Sequence, residues 1–104
     1  MTEQSGKDQE PTLSVELLYE DDERTVVRIA LRGLNRRTIN HQSTTIYEVI
    51  AGAGTIEVDG AIQVLRQGIA VTIPVGTPYR DEGTVDMVAM SIPPFDIDAI
   101  EYLD

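Results

Sequence analysis

The sequence has no cysteine, one histidine (His41) and one lysine (Lys7) among its 104 residues. Without cysteine there are no disulfides, thiolate metal sites or cysteine nucleophiles. Any imidazole chemistry has to pass through His41. Basic residues are scarce, 8 against 18 acidic ones, which leaves a formal net charge of -10. Such a field repels duplex phosphates and anionic lipid, so neither nucleic acid nor membrane is an expected partner. No apolar run approaches the roughly 20 residues of a membrane-spanning helix. The polar stretch Met1–Glu10 lacks the apolar segment of a secretory signal, which makes the cytoplasm the expected location.

What remains is an ordinary globular composition, 41% hydrophobic and 25% charged, enough for one domain with one core. Residues 1–11 carry no periodic pattern and read as a flexible N-terminal tail. Leu13 to Tyr19 mixes apolar and polar residues in the manner of an edge strand. The acidic run Glu20-Asp21-Asp22-Glu23 reads as a solvated turn. From Thr25 to Leu31 the pattern alternates, with Thr25, Val27, Ile29 and Leu31 on one face. Five of the eight basic residues lie between Arg24 and Arg37, where they offset acidic neighbours or line a subunit contact.

Short strands punctuated by turns follow. Ile39–Thr45 and Ile46–Ala51 are two candidates, and Gly52-Ala53-Gly54 is expected to break the chain. Asp59-Gly60 between Thr55–Val58 and Ala61–Leu65 is the strongest hairpin signal. Ile69–Ile73 follows Gly68, and Pro74-Val75-Gly76-Thr77-Pro78 is a rigid turn. Val85–Ile92 reads as a last long strand, ended by Pro93-Pro94. Residues 96–104 read as a C-terminal extension, strand or short helix, packed on the barrel. With no long amphipathic helix anywhere, this is an all-β chain, a sandwich or barrel.

Two segments carry more than a generic pattern. The first holds His41, Ser43, Glu48 and Gly54; the second holds Gly68, Pro74, Gly76, Tyr79 and Gly83. Together they resemble the two motifs of the cupins, the RmlC-like jelly-roll superfamily, over about residues 13 to 95. The resemblance implies a small cupin-type double-stranded β-helix (a jelly-roll barrel) over 12–95. In the family, His-x-His, a glutamate and a third histidine face the interior and hold a divalent metal. Here His41 and Glu48 keep their residues, Ser43 and Tyr79 replace two histidines, and Gly83 replaces an asparagine. The turn-forming half of each motif is present and the metal-binding half is degraded.

Three functions follow from the resemblance. The favoured one is a small-molecule-binding barrel, without a metal, lined by His41, Ser43, Glu48 and Tyr79. The alternative is an enzyme, either an isomerase or dioxygenase holding iron, manganese, nickel or zinc through His41 and Glu48, or a metal-free epimerase-like catalyst. In the latter His41 would be the base and Tyr79 the acid. The third is an inert barrel filled by its own side chains. Each residue also has a structural reading: His41 and Glu48 as a mutually satisfied pair, Tyr79 as volume. Homodimerisation is implied by the family and by the expectation that Tyr47 and Val49, opposite Glu48, leave an apolar outer surface.

Overall fold

The computed structural model describes residues 12–103. The β-branched and alternating segments form eight strands, all paired antiparallel. These are β1 (Thr12–Glu20), β2 (Thr25–Leu34), β3 (Thr38–Asn40), β4 (Thr44–Val58), β5 (Ala61–Arg66), β6 (Ala70–Ile73), β7 (Tyr79–Ile92) and β8 (Ile100–Tyr102). A single 3-10 turn, Ile97–Ala99, precedes β8. No helix among the described residues is long and apolar enough to cross a membrane.

The sheet curls around the two longest strands. β7 pairs with β2 on one side and β4 on the other, and β4 also carries β5 and β6. β1 extends the sheet beyond β2 as its edge, while β3 and β8 form a short ribbon attached to the start of β7. Inward residues of β2, Ile29 and Leu31, meet Val49 and Ile56 of β4, Val71 and Ile73 of β6, and Val85 and Met87 of β7. Burying side chains of this size contributes about 1.5–3 kcal/mol each.

Local chemistry explains most boundaries. Asp21 ends the first hairpin's loop, its carboxylate accepting from the backbone N–H groups of Glu23 (2.8 Å) and Arg24 (3.0 Å). That is how the acidic run makes a turn. Asp59-Gly60, both at positive φ, joins Val58 to Ala61 as a two-residue hairpin. The C-terminal extension contains both expected alternatives in succession, a 3-10 turn and then a strand.

Two expectations are corrected. Gly52-Ala53-Gly54 does not break the chain, and Thr44–Val58 is one continuous strand. The segment expected as Ile39–Thr45 is instead divided by a turn, where Asn40 Oδ1 accepts from the backbone N–H groups of Gln42 and Ser43, each at 2.9 Å. The glycines serve close approach rather than a turn. A Cβ on Gly54 would lie 2.1 Å from the Glu82 carbonyl oxygen, and one on Gly83 would lie 2.5 Å from that of Ala53. The two facing glycines let the paired strands β4 and β7 approach backbone to backbone at this point.

Gly54→Ala is therefore expected to cost roughly 3 kcal/mol, the upper end of overpacking, since backbone has to move. Gly68, with open space around its Cβ position, carries only the penalty of its positive φ, about 1–2 kcal/mol. Urea denaturation of the two alanine variants checks the order; equal losses would mean that the β4–β7 approach is not tight.

Candidate functional site

A cavity of about 340 Å³ lies between β2, β3, β4, β7 and the segment 95–102. Its walls are apolar, from Val15, Val27, Ile29, Phe95, Ile97 and Ile100. The polar groups come from one cluster, Tyr47, Tyr79, Asp81, Asn35 and Asn40, with Thr25, Thr38, Thr45, Ser91 and Tyr102 around it. The size is at the small end of ligand pockets, fit for one ring compound of modest size.

Strand parity builds the cluster. Tyr79 and Asp81 are two residues apart on β7 and point inward together. Tyr47 enters from β4, and its ring meets Tyr79 edge-on, with centroids 6.3 Å apart and planes at 81°. Asp81 is only 1% exposed. Asn35, just past β2, holds it twice: Asn35 Nδ2 donates to Asp81 Oδ1 at 2.9 Å and the Asn35 backbone N–H donates to the Asp81 carbonyl at 2.9 Å. Asn35 is fixed in turn because its own Oδ1 accepts from the Arg36 N–H at 2.8 Å.

Burial dominates the electrostatics. It raises the Asp81 carboxyl above its ordinary value, against the opposing pull of the Asn35 amide. It also raises both phenols. For Tyr79 the hydrogen bond from the Tyr47 hydroxyl works the other way and the negative charge of Asp81 adds to the rise. Tyr47 goes up furthest, through burial and then the neighbouring Tyr79 and Asp81. At neutral pH the tyrosines are therefore hydrogen-bond donors, and Asp81 is the one group in the cluster suited to accept a proton.

The residues singled out in the sequence are dispersed. Tyr79 lines the cavity. His41 lies on the outside, its side chain 53% exposed and its Nε2 2.7 Å from Glu101 Oε1. Ser43 is buried, but its hydroxyl donates to the Pro93 carbonyl at 2.8 Å and lines no cavity. Glu48 is exposed on the outer face of β4, while Tyr47 and Val49 are buried. That reverses the expected orientation of all three. The reason is spacing. Ser43 and Glu48 are an odd number of residues apart, and the register shift that would restore parity falls between Val49 and Ala51, after Glu48. Tyr47 takes the inward place instead.

The family's metal does not fit these residues. Of the four corresponding positions only Tyr79 faces the cavity. Among the described residues no group of three or more histidine, aspartate or glutamate side chains converges to hold an ion.

The fourth wall comes from the C-terminal segment. Its start is tied by the Phe95 N–H donating to Thr25 Oγ1 at 2.9 Å. β8 then pairs with β3, with Thr38 opposite Tyr102, Ile39 opposite Glu101 and Asn40 opposite Ile100. The His41 N–H donates to the Ala99 carbonyl and the Leu103 N–H to that of Arg37, both at 2.9 Å, and the Arg36 guanidinium stacks over the Tyr102 ring at 4.1 Å. The His41–Glu101 side-chain hydrogen bond is a further tie in the ribbon that closes the site.

No protein-family model and no curated protein matches this sequence. Solved structures do. Pac13 from Streptomyces, with uridine, superposes with a TM-score of 0.81 at 22% identity, covering 92% of this chain and 80% of that one. Pac13 is described as a nucleoside dehydratase, and other structures of it with uridine carry phenylalanine in place of one or another of two tyrosines. KdgF from Halomonas sp. superposes with a TM-score of 0.74 at 17% identity, covering 86% and 91% of the two chains. EutQ from Clostridium difficile gives 0.70 at 17%, covering 80% and 69%. These likenesses establish the fold: the chain folds as a small β-barrel of the cupin type.

The raised Asp81 carboxyl sets a pH dependence. In the window above 3.8 the folded chain keeps a proton that the unfolded chain releases. The associated stability is complete below 3.8 and is lost as pH rises through the higher folded value. Relative to Asp81→Asn, the wild type is expected to lose melting temperature as pH goes from about 4 to 7. A constant difference across that range would show a carboxyl that titrates alike in both states.

Proposed function

We propose that this chain binds a small molecule inside its barrel, against Tyr47, Tyr79 and Asp81. The observation that carries the reading is the apolar-walled cavity with a single convergent polar cluster. Support also comes from the likeness to Pac13, which has been solved with uridine in a barrel of this kind. Uridine is therefore a rational first probe, alongside a library of neutral ring fragments. Thermal denaturation of the full chain with and without each compound is the measurement. A compound that stabilises the wild type is expected to bind Tyr79→Phe roughly 5- to 10-fold more weakly, the value of one lost hydrogen bond. Equal binding to both would place the ligand elsewhere.

A second reading, an enzyme, is favoured by Asp81 standing on the same face of β7 as Tyr79. Asp81 as base and Tyr79 as acid would suit removal of water from a β-hydroxy carbonyl compound. The carboxylate takes the proton next to the carbonyl, the carbon–carbon double bond forms, and the hydroxyl leaves as water with the phenol's proton. In this reading His41 holds the ribbon and takes no part in proton transfer.

Self-association belongs to the same proposal, now on a different surface from Tyr47 and Val49. Among the described residues β1 is an edge strand paired with β2 alone, and Leu17 at 60% exposure and Leu18 at 49% stand on it. A second copy packed there would cover apolar side chains and an open strand edge. Sedimentation is expected to give a dimer for the wild type and a monomer for Leu17→Lys; a monomeric wild type would remove this part of the proposal.

A further inference from the structure

We infer that the cavity selects molecules that donate hydrogen bonds and carry no negative charge, with Asp81 as the accepting group. This rests on the small-molecule reading above and narrows it to a ligand class.

Asp81 carries the argument through its placement. It is a carboxyl inside the barrel, not at the mouth, and Asn35 anchors both its backbone and its side chain. Turning outward to meet water would break the side-chain bond to Asn35. Among the described residues no lysine, arginine or histidine lines the cavity with it. Arg36 lies over the Tyr102 ring but contributes nothing to the lining. His41, the one residue able to supply an imidazolium, is outside with Glu101.

Buried carboxylates are stabilised by donors or by a counter-charge, and the donors that Asp81 has are the Asn35 amide and its own backbone N–H, both neutral. An incoming N–H or O–H group adds a further donor to the carboxylate. A ring amine supplies it with a positive charge, which pairs with the carboxylate. An incoming carboxylate or phosphate does the opposite. It places a second negative charge in a low-dielectric space without a cation, inside a chain that already carries a net charge of -10. The three tyrosines and the threonine hydroxyls can orient a neutral ligand but cannot neutralise an anion.

The test is isothermal titration of the full chain with three sets of six-membered-ring fragments matched in size. The sets are neutral lactams and diols, ring amines, and ring carboxylates with phosphate esters. Neutral and cationic donors are expected to bind, with the anionic set weaker by roughly 100-fold or more. In Asp81→Asn the preference for amines should disappear and the anionic penalty should shrink to about tenfold or less. Anionic fragments binding the wild type on a par with neutral ones would overturn the inference and leave the small-molecule reading intact. An unchanged ranking in a folded Asp81→Asn would overturn Asp81 as the selector. Failure of all three sets would remove the small-molecule reading, and this inference with it. If the variant does not fold, the wild-type ranking decides alone.

Discussion

The antiparallel pairing of β4 with β7 is the constraint on which the molecule depends. Each is more than twice the length of β5, β6 or β3, and every other strand but β1 and β8 is bonded directly to one of them. Gly54 and Gly83 face each other along this pairing, where neither position has room for a side chain. The pairing also sets which residues face in. Tyr47, Tyr79 and Asp81 meet because the register places Val58 opposite Tyr79 and Ile56 opposite Asp81 while the bulge lies between Val49 and Ala51. A shift of one residue would turn all of them to solvent.

The strands and turns were legible because they depend on local chemistry. Alternation in Thr25–Leu31, the Asp59-Gly60 turn and the double proline after Ile92 all act over a few residues, and the structure follows them. The site was less legible. Tyr79 stood at a recognisable motif position, and Asp81, two residues further on the same strand, could have been read from it by parity. Tyr47 was misplaced because the location of a bulge decides the face, and a bulge leaves little trace in the sequence. Asn35 could not be found at all, since its role comes from lying beside Asp81, which is 46 residues away along the chain.

The lone histidine illustrates how a motif can keep a residue and change its surroundings. His41 lies within the turn that Asn40 makes, and the short β3 hands it to the C-terminal segment rather than to the interior. With the neighbouring glutamate outside and the two other positions occupied by Ser43 and Tyr79, the interior chemistry passes from imidazoles to phenols and one carboxyl. This exchange retains hydrogen bonding and directionality in the barrel, and it gives up the positive charge that a metal would have brought.

The cavity walls run from Leu13 near the beginning of the described chain to Tyr102 near its end. The site therefore exists only when residues almost ninety positions apart have come together, a demanding closure for a folding chain. On the proposed function, a ligand would favour the assembled barrel over a chain whose β3–β8 ribbon has peeled away. By mass action, occupancy would hold the two ends of the chain together and lower the population of opened forms that proteases attack. In a cell the lifetime of such a protein would track the supply of its ligand, even without any contact between that ligand and a regulatory partner.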